Sequence, residues 1–320
     1  MATRETEPEL DLVVTRRRDE ALGVVSLELQ RSDGTPLPTW SPGAHIELDL
    51  GEGLLRQYSL SSSTRDHKTW RIAVLREEHG RGGSRRIHDN IDEGDILRVR
   101  GPRNHFRLKP AVRYLFIAGG IGITPIIPML AEAEEQGAEW ELVYGGRSAD
   151  SMAFRDDLEK QYPGRVRVFP EADCGLLDLE ELLGTPQPGL LVYCCGPAPL
   201  LDAVEDKCIA WPDGSLHVER FTAKELEAPV RSEVFEVKLA RAGVTVQVPA
   251  GKSVLESVEE AGVQAAYSCR EGACGTCMTT VLEGTVDHRD SLLDDDERAA
   301  HDTMMICVSR AACAKLVLDL

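Results

Sequence analysis

Four of the nine cysteines in this chain of 320 residues are spaced in a way that dictates a local fold. Cys269, Cys274 and Cys277 follow one another as C-x4-C-x2-C, and Cys307 comes 30 residues after the third. Three thiols on so short a run converge only if the backbone bends sharply. Gly272 and Gly275 stand at the bends, free to adopt positive φ, and Ala273 and Thr276 leave room for backbone amides to turn inward. The fourth thiol is expected to return from a strand at 304–308. A loop of this composition is suited to wrapping a guest, not to filling a core.

The spacing is that of a plant-type 2Fe-2S ferredoxin, with Cys269, Cys274, Cys277 and Cys307 as ligands and the small residues letting amides approach the sulfides. A structural zinc site and free thiols remain the alternatives, although zinc sites more often pair two C-x2-C elements and only one is present here. An odd cysteine count, with no basic and apolar leader in the opening residues, argues against complete disulfide pairing and for a reducing, cytoplasmic compartment. Cys174, Cys194, Cys208 and Cys313 are read as small buried apolar groups.

The length exceeds what one core usually holds. Up to about residue 100, apolar residues alternate in short runs (Ile46, Leu48, Leu50; Trp70, Ile72, Val74) between turn-forming clusters, which predicts an antiparallel β-barrel or sandwich. From about residue 110, apolar strands at 114–118, 141–144, 166–169 and 190–193 alternate with helical segments at 126–136 and 154–161, which predicts a parallel α/β sheet. The stretch 222–232 is polar and reads as a linker. Beyond it, Phe235, Val237, Leu239 and Val244, Val246, Val248 form a hairpin pattern, and Ser253 with Glu256 a capping box. The expected domains are 1–108, 109–226 and 227–320.

Asp and Glu outnumber Lys and Arg by 54 to 36, for a net charge of −18, so binding to nucleic acid is not expected. Residues 114–131 run for 18 positions without a charge. Gly119, Gly120, Gly122, Pro125 and Pro128 interrupt any single helix there, so a buried strand, a glycine turn and a helix from near Pro125 are expected in place of a membrane span.

Three further motifs carry chemistry. Arg56-Gln57-Tyr58-Ser59 is expected to line one face of a barrel strand with a guanidinium, a phenol and a hydroxyl, suited to a planar ring bearing a phosphate. Gly80-Arg81-Gly82-Gly83-Ser84 can form a nest of amides around that phosphate, although an ordinary glycine turn would read the same way. Ala118-Gly119-Gly120-Ile121-Gly122-Ile123-Thr124-Pro125 lies between strand and helix, as a pyrophosphate turn does, with Pro125 where the usual fingerprint has its third glycine. Tyr144-Gly145-Gly146-Arg147 and Tyr193-Cys194-Cys195-Gly196-Pro197 likewise put small residues just past parallel strands.

In this order, the motifs resemble those of the phthalate dioxygenase reductase family within the ferredoxin-reductase superfamily, over nearly the whole chain. The resemblance implies a flavin barrel, a pyridine-nucleotide domain and a C-terminal β-grasp ferredoxin. It implies FMN, held by Arg56, Tyr58 and Ser59, with Gly82, Gly83 and Ser84 on the phosphate, Ala73 and Val74 along the ring and Thr124 approaching it. NADH would be bound by Gly120, Arg147, Cys195 and Pro197, with Cys195 at the nicotinamide and Phe221 packing near the flavin. The acidic Glu171 and Asp173 after the third strand favour NADH over NADPH, because carboxylates repel a 2′-phosphate. Electrons would pass from NADH to FMN to the cluster and on to a Rieske-type oxygenase. A haem-thiolate monooxygenase is the alternative acceptor, and a free-standing flavin or ferric reductase the alternative role. The layout can work as a monomer.

Residues 232–320 hold 15 acids and 8 bases, so this unit is expected to dock a basic partner through an acidic face that includes Asp294-Asp295-Asp296-Glu297. The same face is the preferred reading of His288 with Asp287 and Asp290, ahead of a metal site.

Overall fold

The computed structural model describes residues 8–224, 226 and 228–320. The segment 1–7, read above for a leader, and positions 225 and 227 of the polar stretch lie outside the described residues. The chain forms two compact units, Met1–Glu219 and Arg220–Leu320, where the sequence pattern suggested three.

The first unit opens with β1 (Glu9–Ala21), β2 (Val24–Arg31), β3 (His45–Asp49), β4 (Leu55–Ser59), β5 (Trp70–Leu75), α1 (Gly83–Asn90) and β6 (Ile96–Arg103). The sheet order is β4-β3-β6-β1-β2-β5, with every neighbouring pair antiparallel. Alternation puts Leu12, Leu27, Ile46, Leu48, Ile72 and Val74 into one core. The edges meet just beyond β4, where the Ser61 N–H donates to the Arg71 carbonyl at 2.7 Å, and this closes the expected barrel.

The chain then alternates: β7 (Arg113–Gly119), α2 (Ile123–Glu135), β8 (Glu139–Gly146), α3 (Arg155–Gln161), β9 (Val166–Pro170), α4 (Glu171–Cys174), α5 (Leu179–Leu183), β10 (Leu190–Cys195), α6 (Ala198–Cys208) and β11 (Leu216–Glu219). All five strands are parallel, in the order β11-β10-β7-β8-β9. The uncharged run at 114–131 is therefore β7, a single 3-10 turn and the start of α2. The helix begins at Ile123, ahead of Pro125, since a proline in the first turn forfeits no helical hydrogen bond. Among the described residues, no helix is long and apolar enough to cross a membrane.

Barrel and parallel sheet make one unit because they share a core. Val24, Ala73 and Phe106 pack with Phe116, Ile126, Met129 and Tyr193. The Tyr193 hydroxyl accepts from the Lys109 N–H at 2.7 Å and donates to the Arg107 carbonyl at 3.0 Å, pinning the connecting segment.

The second unit contains β12 (Phe235–Leu239), β13 (Val244–Val248), α7 (Val254–Glu260), β14 (Met278–Glu283), β15 (Val286–Asp287), α8 (Asp295–Ala300), β16 (Thr303–Met305), β17 (Arg310–Ala311) and β18 (Lys315–Leu318). Its main sheet, β13-β12-β18-β14-β16, is antiparallel except where β12 runs parallel to β18. The expected capping box opens α7: the Glu256 N–H donates to Ser253 Oγ at 3.1 Å, and the Ser253 N–H to Glu256 Oε2 at 2.8 Å. Val254, Leu255 and Val258 thereby join Phe235, Val237, Leu316 and Leu318 in the core of a β-grasp fold.

Candidate functional site

The parallel sheet ends in one row. Glu219, Cys195, Ala118 and Tyr144 are direct neighbours across β11, β10, β7 and β8, so the small-residue turns that follow these strands open along a single edge. The β7 and β10 turns touch backbone to backbone. A Cβ at Gly122 would lie 2.2 Å from the Cys195 carbonyl oxygen, and one at Gly196 would lie 3.0 Å from Gly119 Cα. Such an edge, where the strand order reverses, is where open α/β sheets bind ligands. Gly120 takes φ +54° with open space around it. The Thr124 hydroxyl donates to the Ile121 carbonyl at 3.0 Å. Arg147 is exposed just past β8, and its carbonyl accepts from the Ala172 N–H at 3.1 Å, which brings α4, with Glu171 and Asp173, beside it. Pro197 caps α6.

Glu219, to which the sequence pattern assigned no role, is the most perturbed carboxyl of this edge. Burial pushes its pKa up to about 8, opposed by a hydrogen bond from Ser59. Its Oε2 is covered and has no partner among the described residues. Burial, then the neighbouring Glu219, pushes the Cys195 thiol well up as well. The one signal in the sequence was an acid closing a strand whose neighbours end in apolar or small residues.

On the barrel, the pairing of Tyr58 with Ile46 and of Ser59 with His45 corrects one expectation. Arg56 and Tyr58 share a face, but Ser59 points to the other, because side chains alternate with period two. Ala73 and Val74 divide in the same way: Ala73 joins the core shared with the parallel sheet, and the Val74 side chain joins the barrel core. The glycine turn leads into α1, which the sequence reading did not foresee. Gly82 caps it at φ 88°, and its first turn holds no acid. Arg56 packs on Gly83 so closely that a Cβ there would lie 2.5 Å from Arg56 Cγ, and Arg56 Nη2 donates to the Arg81 carbonyl at 3.1 Å. Free amides at a helix start, beside a guanidinium, fit a phosphate.

In the second unit, Gly272 and Gly275 take φ 76° and 72° as the spacing required, and Arg270 joins them at 59°. Arg270 is held there by Glu259, at 2.8 and 3.1 Å, and stacks 4.0 Å over the Tyr267 ring. The four thiols converge. Cys269 is hydrogen-bonded to Cys274 and Cys307, and Cys277 to Cys307. These three contacts link all four thiols in one chain, Cys274–Cys269–Cys307–Cys277, a set of four sulfur donors that fits a 2Fe-2S cluster. Amides favour the thiolate form as well: the Glu271 N–H donates to Cys269 Sγ at 3.3 Å. Cys307 lies in the turn after β16, not on a strand, because β16 stops at Met305.

Three further readings change. Cys174 is exposed, at the end of α4, since one turn of helix buries nothing. The acidic run is in part a helix start: the Glu297 N–H donates to Asp294 Oδ1 at 2.9 Å, and the Asp294 N–H to Glu297 Oε2 at 3.0 Å. Asp290 is buried and takes the N–H groups of Leu292 and Leu293, at 3.0 and 2.8 Å, so it shapes a turn and is not part of a solvated face. Phe221 belongs to the second unit and is 46% exposed.

Two family models match the chain: the 2Fe-2S iron-sulfur cluster binding domain over residues 237–312, and the oxidoreductase NAD-binding domain over residues 116–174. The phthalate 4,5-dioxygenase oxygenase reductase subunit of Pseudomonas putida is 39% identical over 316 residues, covering 97% of this chain and 96% of that protein. Among solved structures, phthalate dioxygenase reductase, described as a modular structure for electron transfer from pyridine nucleotides to 2Fe-2S, matches with a TM-score of 0.70 and 36% identity over 98% of each chain. An intact type IV self-sufficient cytochrome P-450 monooxygenase matches with a TM-score of 0.94 and 43% identity, over 100% of this chain and 43% of that one. The chain thus spans less than half the length of that monooxygenase.

Proposed function

Because the chain belongs to the phthalate dioxygenase reductase family, we propose that it takes electrons from NADH and delivers them to a Rieske-type oxygenase. The observation that carries this reading is the convergence of four cysteine thiols in a chain that also presents a nucleotide-type sheet edge. We assign the flavin to residues 1–108, the nucleotide to 109–226 and the cluster to 227–320. FMN bound there would supply the conversion between a two-electron donor, NADH, and one-electron delivery to a 2Fe-2S cluster.

The chain binds and orients. The α1 amides of Gly82, Gly83 and Ser84 hold the flavin phosphate, and Arg56 balances its charge. Tyr58, Ser59, Ala73 and Thr124 border the ring, and Val74 does so through its backbone. Gly120, Arg147, Cys195 and Pro197 hold NADH, and Phe221 is the aromatic near the flavin. Glu171 and Asp173 disfavour a 2′-phosphate. Glu219 holds a proton below about pH 8, so the buried edge carries no net negative charge where the nicotinamide binds. Cys269, Cys274, Cys277 and Cys307 ligate the cluster. A monomer in the reducing cytoplasm, docking a basic partner through the acidic second unit, completes the reading.

A haem-thiolate monooxygenase as acceptor is favoured by one observation, the high structural similarity to the self-sufficient monooxygenase. The test begins with a visible spectrum. Flavin and iron–sulfur bands bleached by NADH are expected, and a colourless, zinc-containing protein would refute the relay. Cys307→Ser is expected to abolish cytochrome c reduction and spare ferricyanide reduction. Supplying purified oxygenases of each class then identifies the acceptor. If neither is reduced while free flavin or ferric chelates are, the protein is a free-standing reductase. Cytochrome c reduction that stays flat from low to high salt would refute acidic docking.

A further inference from the structure

Residues 220–234 lead into the β-grasp fold, and two of their amides are tied to it. The Lys224 N–H donates to Ser291 Oγ at 3.0 Å, and the Val230 N–H to Asp287 Oδ2 at 3.0 Å. Both acceptors belong to one short segment, 287–291, which also touches both halves of the cysteine set. The Ser291 N–H donates to the Gly272 carbonyl at 3.0 Å, within the loop that carries Cys269, Cys274 and Cys277. Gly272 is closely packed: a Cβ would lie 2.5 Å from Val308 Cγ2 and 3.2 Å from Asp290 Cα. On its other side, the segment pairs with β17 through Val286 and Asp287. The Arg289 N–H also donates to Ser309 Oγ at 3.2 Å, two residues past Cys307. Arg298 braces it from α8, with Nη2 donating to the Asp290 carbonyl at 2.8 Å.

Ser291 therefore works in two directions, its hydroxyl taking the entering chain and its amide holding the cluster loop. We propose that the 287–291 segment is a tether that locks the connecting chain to the frame of the cluster, with Ser291 and Asp287 as positioning residues for electron transfer into it. Two hydrogen bonds spaced along the connection, at Lys224 and Val230, fix it to the frame of the cluster. Transfer rates fall steeply with misplacement, so a connection free to swing from residue 220 to residue 234 would deliver the cluster less often to a productive position. The inference rests on the relay proposed above.

The experiment compares the full-length, cofactor-loaded protein with Ser291→Ala, with Ser291→Thr, and with Lys224→Pro, which removes the donor from the connection without altering the β-grasp core. Hydrogen exchange at individual amides is the first readout. In Ser291→Ala, the Lys224 amide is expected to exchange about fivefold faster, and the Ser291 amide to stay protected. Stopped-flow spectroscopy is the second readout. Flavin reduction by NADH, the cluster's electron paramagnetic resonance and its midpoint potential are expected to be unchanged. Transfer from flavin to cluster is expected to slow by about tenfold in both Ser291→Ala and Lys224→Pro, with Ser291→Thr restoring it. Unchanged transfer in both variants would overturn the tether, as would slowing accompanied by a shifted potential or by exposure of the Ser291 amide. A parent protein lacking NADH-bleached flavin and cluster bands would overturn the relay itself, and the tether with it.

Discussion

Cys195 and Glu219 stand side by side at the ends of adjacent parallel strands, and burial raises the pKa of the Glu219 carboxyl to about 8. The pair comes from two separate strands, brought together only by the sheet order, and it lies on the edge where the small-residue turns open.

The first prediction concerns pH. An acid with a folded pKa of about 8, against an ordinary 4.5, contributes stability that is complete below pH 4.5 and is lost as pH rises through 8. Glu219→Gln keeps the shape and cannot ionise. Melting temperatures measured across this range should show the variant gaining on the parent as pH rises, with the gap levelling off above pH 8. Parallel curves would mean that the carboxyl titrates normally.

The contact between the β7 and β10 turns predicts a steric failure. Gly122→Ala places a methyl 2.2 Å from the Cys195 carbonyl oxygen. The turns must separate, at a cost of about 1–3 kcal/mol. Urea unfolding should register that loss, and NADH titration a weaker complex. Ala at Gly196, against Gly119 Cα at 3.0 Å, should do less harm.

Thiol reactivity should follow exposure. Cys174 is exposed, whereas Cys194, Cys195 and Cys208 are buried, and burial raises the Cys208 pKa to about 11. Brief alkylation of the native protein, mapped by mass spectrometry, should mark Cys174 and leave those three unmodified. Early modification of Cys208 would contradict the packing beneath α6.

Asp294 is a helix cap and not merely a surface charge. Asp294→Ala should cost about 1 kcal/mol of stability to the second unit, whereas Asp294→Asn, which keeps the acceptor, should cost only a few tenths. Asp296→Ala should be nearly neutral. Equal losses for Asp294→Ala and Asp296→Ala in chemical unfolding would refute the cap.

Much of the molecule was legible from local pattern. The period-two runs anticipated most of the barrel strands, Ser253 and Glu256 marked the start of α7, and the C-x4-C-x2-C spacing demanded the positive φ found at Gly272 and Gly275. These features depend on residues close together in the chain, where backbone geometry and side-chain period leave few choices. A stricter reading would also have separated Ser59 from Arg56 and Tyr58, and recognised Asp294 with Glu297 as a second capping box. What only the tertiary structure decided was adjacency and burial: Glu219 beside Cys195 and Ser59, a core shared by barrel and sheet, Ser291 between Lys224 and Gly272, and Cys174 left in solvent. The physical reason is that a carboxyl's pKa, or a thiol's exposure, belongs to the neighbours that folding brings around it. The pairing of Glu219 with Cys195, for one, follows from the order β11-β10-β7-β8-β9, which no local pattern in the chain encodes.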